Sequence, residues 1–490
     1  MVLSDETRAA GGQVSRAAPS ALGPGGDHGG PDTAAGEALR ARLAASPVET
    51  RLGERVWSVV ARAALTEPAA DPCPEPPPTG FRMEEEAGFG ARSPARFRVD
   101  TAGQGGVRSV FAAAIVLCPG ATERVVPFPG WTLPGVIGLA AATVLLKSQR
   151  LLPGRRVVVA GAGPLVPAVA ATIVKAGGTV AAVADLGGRS DWLRTLPRLA
   201  AMPRLLGRGA GWVVRIAGAR VPVLFRHAIR SAEGRGELEA VTIAPIDANG
   251  TWRREAGDWP GRRIAADALA VGHGLAPATE IGRLLRVRHR FSRAEGGWRP
   301  VTDDWGRTSL SRCYVAGDGA GVFGAAAAVQ SGRLAGGAAA VDAGRIDPGA
   351  VAARARRLRR TRNRAARFGA AMSRLAALRP AMVESIPAGT VVCRCEDVIR
   401  QRIEDAIAQG AVEVNQLKHF TRCGMGPCQG RTCGEVVAEL LAARIADDPD
   451  EGRRAAGQWT GRAPLRPITM DDLAGRFDYD DIPIPPPAPL

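Results

Sequence analysis

Aromatic residues and lysine are scarce in this chain, and their scarcity limits what its positive charge can mean. Only 4% of the 490 residues are aromatic, two of them tyrosines, while arginine supplies nearly all of the basic side chains behind a net charge of +16. Lysine occurs only at Lys147, Lys175 and Lys418. Nucleic-acid surfaces usually interleave basic and aromatic side chains, so that bases can stack. Abundant arginine, alanine, glycine and proline fit the codon bias of a GC-rich genome, and we expect no nucleic-acid partner.

The chain also lacks a recognisable secretory leader and an uninterrupted apolar run. Ser4, Asp5 and Glu6 precede any apolar stretch, which is not the pattern of a signal peptide. The longest apolar stretch, Val157–Val174, approaches transmembrane length, but glycines and prolines interrupt it and its pattern predicts a strand followed by a helix. We therefore expect a cytoplasmic protein, with peripheral association at the inner face of the membrane as the further option.

Cysteine is rare in most of the chain and dense near its C-terminus. Five of the eight cysteines lie within 41 residues: Cys393, Cys395, Cys423, Cys428 and Cys433. Thiolates are soft ligands for Fe–S clusters or zinc, and four of them complete two tetrahedral irons that share two sulfides. Structural zinc more often uses C-x2-C pairs, and five cysteines cannot all pair as internal disulfides. The spacing favours a 2Fe–2S cluster, with zinc and disulfides as the alternatives.

A nucleotide-binding motif lies in the middle of the chain. The letters VVVAGAGPLV predict a strand, Val157–Ala160, followed by a tight turn and a helix. The turn and the first helical turn contain Gly161, Gly163 and Pro164. Asp185 follows the next predicted strand, where an acid can bond a ribose hydroxyl. Val166 replaces the third glycine of G-x-G-x-x-G, which weakens the prediction that this lobe binds NAD(P) or another adenine nucleotide. An ordinary strand–turn–helix is the alternative.

The cysteine-rich segment, with the phrase TRCGMGPCQGRTCG, resembles the bacterioferritin-associated-ferredoxin-like (BFD-like) 2Fe–2S domain. It is most similar to the version that ends the larger flavin subunit of opine oxidases, cyanide synthase and hydroxyproline dehydrogenases. The segments ATERVVPFPGWTLPGV and VGHGLAPATEI are also similar to that family. The resemblance implies that the cluster ligands are Cys393, Cys395, Cys428 and Cys433. Cys423 is then a fifth thiol and the alternative ligand.

The same resemblance implies an FAD site assembled from separate segments. In SRCYVAGDGAG, Asp318 after Gly317 would bond the ribityl chain, and Gly120 would mark the turn into an inserted nucleotide lobe. Glu6 would be the acid for the adenosine ribose. The residues that would run along the cofactor are Gly11, Gly12 and Gln13. The sequence does not contain the opening strand and G-x-G-x-x-G helix of such a lobe, so we expect an N-terminally truncated lobe, through a miscalled start or a shortened product.

The predicted fold is α/β, a flavoprotein with two dinucleotide-binding domains of the disulfide-reductase type and a small helical BFD-like domain. The predicted segments are the first part of the FAD domain at 1–140, an inserted nucleotide domain at 141–265, the second part of the FAD domain at 266–345, an arginine-rich helical linker at 346–385, the 2Fe–2S domain at 386–450 and an extended tail at 451–490.

The resemblance implies the electron-transferring α subunit of a heteromeric, flavin-dependent amine or amino-acid dehydrogenase or oxidase of the opine, glycine or hydroxyproline type. Its expected partners are an FAD-dependent β subunit with the substrate site, a small 2Fe–2S protein and an acceptor such as a quinone. No substrate base stands out, because His227, His273 and His289 are scattered and more typical of structural histidines. Two alternatives stay open: a self-contained NAD(P)H-dependent flavin and 2Fe–2S reductase, and an inactive scaffold that lacks FAD.

Overall fold

The structure, a computed structural model, describes residues 1–12, 31–62, 96–103, 106–253 and 261–474. Gln13, predicted to run along FAD, lies outside these residues. The strands are β1 (Val2–Asp5), β2 (Glu49–Leu52), β3 (Arg55–Ala61), β4 (Phe97–Gly103), β5 (Gly106–Ala112), β6 (Ile115–Leu117), β7 (Ala121–Glu123), β8 (Val136–Gly138), β9 (Arg156–Gly161), β10 (Thr179–Asp185), β11 (Val223–Phe225), β12 (His227–Glu233), β13 (Ala240–Pro245), β14 (Arg262–Ala265), β15 (Ala268–Gly272), β16 (Leu275–Pro277), β17 (His289–Ser292), β18 (Gly297–Pro300), β19 (Cys313–Val315), β20 (Val391–Cys393) and β21 (Val398–Ile399).

Helices alternate with these strands and dominate the C-terminal part. They are α1 (Pro31–Ala44), α2 (Leu139–Val144), α3 (Leu165–Lys175), α4 (Arg189–Leu199), α5 (Pro203–Gly218), α6 (Glu280–Leu284), α7 (Ala325–Asp342), α8 (Pro348–Leu375), α9 (Pro380–Glu384), α10 (Arg400–Ala408), α11 (Val414–Thr421), α12 (Gly434–Ile445), α13 (Pro449–Ala456) and α14 (Met470–Ala474). The predicted mixed α/β architecture with a helical C-terminal domain is confirmed.

The part of the chain from β8 to β15 is called the middle lobe. A five-stranded parallel sheet with the order β11-β10-β9-β15-β8 forms its centre. Its central strands are short apolar runs, as parallel strands covered on both faces require. Along β9 the side chains alternate. Val157 and Val159 share a core with α3 and α5, while Val158 and Ala160 share one with the antiparallel sheet β12-β13-β14. The middle lobe is therefore a three-layer unit around β9.

This lobe is larger than the sequence predicts. The predicted bounds, 141–265, exclude β8 and β15, yet both strands hydrogen-bond into the parallel sheet. The three residues of β8 form too short an apolar run to be recognised as a strand in the sequence. β8 is stabilised by pairing with β15, a strand that is distant in the sequence, so its local sequence does not predict it.

Outside the middle lobe, the described parts of the predicted FAD segments 1–140 and 266–345 form what we call the flavin lobe, which contains several small sheets. β1 pairs in parallel with β2, and β6 pairs in parallel with β19. Within the described residues these pairs are separate two-stranded sheets, and β3-β4-β5 forms an antiparallel sheet beside them. Gly120 and Gly317 lie just beyond the carboxyl ends of β6 and β19, so two of the predicted flavin residues share one edge.

Two long helices lead from the flavin lobe to the C-terminal domain. α7 packs along α8, which runs for 28 residues through the arginine-rich segment. Asp347 caps α8 by accepting a hydrogen bond from the Ala350 NH at 3.0 Å. After α8 ends at Leu375, the segment Ala376–Arg379 connects it to α9. We call this segment the 376–379 linker.

The C-terminal domain is helical around the hairpin β20–β21. Helices α10, α11 and α12 each bury an apolar face in a common core, in which Ile403, Leu417 and Val437 are fully buried. No helix in the described parts of the chain is long and apolar enough to cross a lipid bilayer.

The segment predicted as an extended tail, 451–490, differs from that prediction at its start. Residues 451–456 belong to α13, because Asp448 caps this helix by accepting from the Glu451 NH at 2.7 Å. Further along, the Leu465 NH donates to the Trp57 carbonyl at 2.7 Å. The described part of this segment thus runs back onto the flavin lobe.

Candidate cofactor sites

The cysteine-rich segments meet at one end of the helical domain. Cys393 ends β20, Cys423 follows α11, and Cys433 directly precedes α12. These three residues are buried, and their Sγ atoms lie within 4.8 Å of one another. The distance from Cys423 Sγ to Cys433 Sγ is 3.7 Å. Three buried thiols at these separations form a donor set for a soft metal centre.

Cys395 and Cys428 form a second and more exposed pair. Both the NH and the thiol of Cys428 contact the Cys395 sulfur. The predicted ligand set takes two members from each group, Cys393 with Cys433 and Cys395 with Cys428. Cys423, predicted as the spare thiol, lies in the buried group rather than apart from it. The choice of four ligands therefore stays a prediction, with all five cysteines in one region.

The surroundings of the buried thiols favour negative charge on one of them, Cys393. Hydrogen bonds from the thiols of Cys423 and Cys433, together with backbone NH groups, lower the pKa of Cys393 to about 2. The same sharing of protons raises the pKa of Cys423 and of Cys433. A bound metal centre replaces such shared protons. The N-terminus of the 12-residue helix α12 follows Cys433 directly and adds a favourable dipole. The donors present therefore fit a thiolate-bound cluster.

An aromatic wall closes this site on one side. A Cβ on Gly424 or Gly430 would lie 3.3 Å or 3.2 Å from the Trp459 indole, and both glycines have a positive φ, 86° and 77°. The Trp459 carbonyl accepts a hydrogen bond from Arg283 Nη1 at 2.7 Å, which ties the wall to the flavin lobe. Sequence reasoning missed Trp459 because it lies in the segment predicted to be extended.

Asp318 lines a cavity of about 280 Å³ at the end of β19. Its Oδ1 accepts hydrogen bonds from the NH groups of Phe323 at 3.1 Å and Gly324 at 2.8 Å. Burial raises the pKa of this carboxyl group. A partly buried acceptor at the edge of a cavity suits a ligand that brings hydroxyl donors. This part of the site therefore fits the ribityl chain of FAD.

Two glycines lie at this edge, and one of them, Gly317, lines the cavity. Gly317 has a φ of +73° and donates its NH to Ser331 Oγ at 2.9 Å, which fixes the turn against α7. Gly120 also has a φ of +73° and lies beyond the neighbouring strand β6. The structure therefore brings Gly120, Gly317 and Asp318 to one edge.

The N-terminal residues predicted to bind FAD follow β1, in the sheet β1-β2, whereas Asp318 follows β19, in the sheet β6-β19. Glu6 follows β1, and its Oε2 is 3.8 Å from Arg466 Nε. Gly11 and Gly12 have positive φ angles of 137° and 56°, as a glycine turn requires. Their role toward FAD stays a prediction.

The second glycine turn follows β9 in the middle lobe. Gly161 is in register with Gly272 of β15 and has a φ of +133°. Pro164 is the N-cap of α3, and Val166, which replaces the third glycine, is fully buried against the sheet. A Cβ on Gly163 would lie 2.8 Å from the Cβ of Ala376 in the 376–379 linker.

Asp185, the predicted ribose acid, ends β10 and is 5% exposed. Its Oδ1 accepts from the Gly187 NH at 2.8 Å, and its Oδ2 accepts from Trp192 Nε1 at 3.0 Å. Burial raises the pKa of this carboxyl group to about 6. Both oxygens of the acid are thus engaged within the protein.

A buried ionic network joins the helical domain to the flavin lobe. Glu439 lies 3.0 Å from Arg293 Nη2 and 3.3 Å from Arg453 Nη1, with 2% of its side chain exposed. Nearby, Arg124 Nη2 is 3.6 Å from Glu435 Oε2. No local pattern could have indicated this network, because its members come from distant segments of the chain.

Two protein-family models match the chain. The family model of the pyridine nucleotide-disulphide oxidoreductases matches residues 81–342, and that of the BFD-like 2Fe-2S binding domain matches residues 391–443. The chain is 32% identical to one of the subunits of opine oxidase from Agrobacterium tumefaciens (strain Ach5) over 373 residues, which cover 76% of this chain and 71% of the relative. It is 35% identical to the HcnB subunit of hydrogen cyanide synthase from Pseudomonas aeruginosa over 354 residues, 72% of this chain and 74% of the relative.

Among solved structures, the chain is similar to L-proline dehydrogenase from P. horikoshii, with a TM-score of 0.61 and 17% sequence identity. The alignment covers 97% of this chain and 74% of the other. At this identity the likeness concerns the fold alone.

Proposed function

We propose, since the chain belongs to the pyridine nucleotide-disulphide oxidoreductase family and carries a BFD-like 2Fe–2S domain, that it is the electron-transferring α subunit of a heteromeric amine or amino-acid dehydrogenase. The chain is an FAD-dependent oxidoreductase, and its cofactors are FAD and a 2Fe–2S cluster. Its relatives are subunits of opine oxidase and hydrogen cyanide synthase, which supports a role in a heteromeric enzyme. The proposed substrate is of the opine, glycine or hydroxyproline type, as the sequence resemblance implies.

One observation carries the proposal: the thiol site belongs to a domain that is locked to the flavoprotein body. The pairs Arg293–Glu439 and Arg124–Glu435 cross between the two parts, and the side chains of Arg124 and Glu439 are almost completely buried. Buried charges hold a fixed geometry because separating them would leave each one unpaired. A fixed distance between two cofactor sites is what electron transfer requires of a protein.

The two cofactors differ in the chemistry that they supply. When bound, FAD takes up two electrons as a hydride equivalent, and a 2Fe–2S cluster carries one electron at a time. We assign the cluster to Cys393, Cys395, Cys428 and Cys433, with Cys423 as the alternative ligand. In this assignment Asp318 would accept hydrogen bonds from the ribityl hydroxyls, and Gly120 and Gly317 would let the backbone approach the cofactor.

Two histidines of the described residues, His273 and His289, favour a substrate site on another protein of the complex. His273 Nδ1 accepts from the Val126 NH at 3.2 Å, and burial lowers the pKa of His273 to about 3. Burial also lowers the pKa of His289 to about 4. Both are weak bases with structural contacts. We therefore assign substrate oxidation to an FAD-dependent β subunit. Further partners in this proposal are a small 2Fe–2S protein and a quinone acceptor, in the cytoplasm, where thiolates stay reduced.

The test is co-expression with a candidate FAD-dependent β subunit, sought among the products of neighbouring genes. We expect a copurifying complex that reduces a dye with an amine or imino acid as the donor. In that complex Cys428→Ser should remove iron and acid-labile sulfide and retain flavin. Cys423→Ser serves as the matched variant, because iron is retained if Cys423 is the spare thiol.

Two results would change the assignment. A complex that copurifies but oxidises no amine or imino acid contradicts it. A purified chain with iron and acid-labile sulfide but no flavin supports the inactive scaffold instead.

A further inference from the structure

The middle lobe has a crevice where a parallel sheet of this kind normally binds a nucleotide. β9 has β10 on one side and β15 on the other, so the direction of chain connection reverses between β9 and β15. Ligands of open α/β sheets bind at such a switch point, beyond the carboxyl ends of the two strands. Gly163 follows β9 and Gly274 follows β15, so both lie at this crevice.

The crevice contains a residue of the chain itself. The Cβ of Ala376 lies 2.8 Å from the position of a Cβ on Gly163 and 3.0 Å from that of a Cβ on Gly274. Ala376 is only 8% exposed and shares an apolar cluster with Ala162 and Leu186. In nucleotide-binding turns the second glycine lets the pyrophosphate approach the backbone. Here the space beside that glycine is filled by a methyl group.

Hydrogen bonds hold the 376–379 linker in this position. Arg124 Nη1 donates to the Ala376 carbonyl at 3.5 Å, and Arg293 Nη1 donates to the Leu378 carbonyl at 3.3 Å. Arg379 Nη1 donates to the Leu186 carbonyl at 2.6 Å, directly beside the end of β10. Arg124 and Arg293 also belong to the network that binds the helical domain, so the linker and that domain share their anchors.

The polar group that would recognise a ribose is also engaged. Both oxygens of Asp185 accept hydrogen bonds from within the lobe, from the Gly187 NH and from Trp192 Nε1. Each oxygen keeps a further lone pair, but the Asp185 side chain is only 5% exposed, so a ribose hydroxyl has little access to it.

We infer that the nucleotide crevice of the middle lobe is an intramolecular docking site for the 376–379 linker and does not bind NAD(P). The lobe then positions the thiol-bearing domain instead of supplying a nicotinamide. This inference concerns the middle lobe alone and is independent of which substrate a partner protein oxidises. It also separates the proposed function from the self-contained NAD(P)H reductase, which needs this crevice open.

The first test titrates the purified chain with NADH and with NADPH and follows nicotinamide fluorescence. We expect no saturable binding up to about 1 mM, the range of very weak affinity. Saturable binding in the micromolar range would overturn the inference. This measurement needs no variant and does not depend on catalytic activity.

The second test uses a matched pair of glycines. Gly163→Ala introduces a methyl against Ala376, whereas Gly177→Ala introduces one with no atom within 4 Å. Their φ angles are nearly equal, 83° and 79°, so the backbone strain of the two substitutions is similar. We expect Gly163→Ala to lower the midpoint of thermal unfolding by several degrees more than Gly177→Ala does.

A double substitution completes the test. Ala376→Gly removes the methyl that Gly163→Ala would contact, so the double variant should recover most of the extra loss in unfolding midpoint. Equal midpoints for the two single glycine variants, or strictly additive effects in the double variant, would show that Ala376 does not occupy the crevice in solution.

Discussion

The middle lobe and the flavin lobe each place a glycine turn and an aspartate at the carboxyl end of a parallel strand, but they use these residues differently. In the middle lobe, Asp185 has both carboxylate oxygens engaged by donors of its own lobe. In the flavin lobe, the two backbone NH groups that bind Asp318 both donate to Oδ1, and the residue lines a cavity of about 280 Å³. One acid is part of the fold, and the other is available to a ligand.

The glycines of the two turns differ in the same way. A Cβ on Gly163 would lie 2.8 Å from Ala376, while the nearest atom to a Cβ on Gly317 is the Ala328 Cβ at 3.6 Å. A sequence motif for nucleotide binding can therefore persist as a packing motif. Function has to be argued from what fills the crevice rather than from the glycines themselves.

The largest expected effect comes from breaking the buried ionic network. This network anchors both the helical domain and the 376–379 linker, which fills the crevice of the middle lobe. Glu439→Gln removes a charge that pairs with both Arg293 and Arg453, and it leaves Asp450 as the remaining partner of Arg293 and Glu435 as that of Arg453. Removing one member of a buried ion pair typically lowers the free energy of unfolding by about 3–5 kcal/mol. Urea titration followed by tryptophan fluorescence measures the loss, and hydrogen exchange at the 376–379 linker should increase with it.

An exposed pair provides the control for this variant. Glu49 pairs with Arg51 at 2.8 Å, but 57% of its side chain is exposed. Glu49→Gln should lower the free energy of unfolding by less than about 1 kcal/mol. If Glu439→Gln is as mild as Glu49→Gln, the helical domain is not held by the network.

The next effect separates the two aspartates. Asp318→Asn keeps Oδ1 for its two backbone donors and replaces the other oxygen by an amide nitrogen, so a charge-assisted bond to a ribityl hydroxyl is lost. Such a bond contributes about 1.5–3 kcal/mol, and we expect bound flavin to dissociate about 10- to 100-fold more readily. The ratio of flavin to protein after extensive dialysis measures this change.

Asp185→Asn should give the opposite result. Its amide nitrogen would face Trp192 Nε1 or the Gly187 NH, so one buried donor would lose its acceptor. We expect the free energy of unfolding to fall by about 1–3 kcal/mol, with the flavin content unchanged. Loss of flavin in Asp185→Asn, or full retention in Asp318→Asn, would contradict the distinction between the two lobes.

The sequence predicted what short-range patterns determine. The apolar run at β9, the glycine turn and the helix α3 follow from local sequence, and the fold class with its helical 2Fe–2S domain is confirmed. The cysteine spacing predicted that two nearby segments contribute their thiols to one cluster. It could not show that Cys423 lies in the buried group, because spacing does not determine the direction of a side chain in a loop.

Contacts between distant segments were not predictable. Arg124 and Ala376 are 252 residues apart in the chain and meet through one hydrogen bond, and Trp459 reaches the glycines of the thiol loop from the segment predicted as an extended tail. Arg124, Ala376 and Trp459 do not belong to any sequence motif that would predict these contacts. The closed state of the crevice therefore became visible only in the structure, although Val166 already weakened the prediction of a bound nucleotide.

An effect of similar size depends on pH and concerns Glu123 of β7, an acid that lies at the strand ends of the middle lobe. Glu123 accepts a hydrogen bond from the Ala140 NH at the start of α2, and a Cβ on Gly272 would lie 2.5 Å from its Oε1. Burial raises the pKa of Glu123 to about 7. A carboxyl group with a raised pKa binds its proton more tightly in the folded state. Its contribution to stability is therefore present at low pH and is lost as the pH rises from the unfolded value toward 7.

Glu123→Gln removes this dependence while it retains an oxygen for the Ala140 NH. Its stability relative to the parent chain should increase between pH 5 and pH 8 by on the order of 2 kcal/mol, because only the parent has to ionise a buried acid. Urea titrations of both proteins at several pH values measure the difference, and comparing them at each pH cancels the titration of every other group. A difference that stays constant or decreases over this range would mean that Glu123 is already ionised in the folded chain, and that the strand ends of the middle lobe are open to water rather than closed.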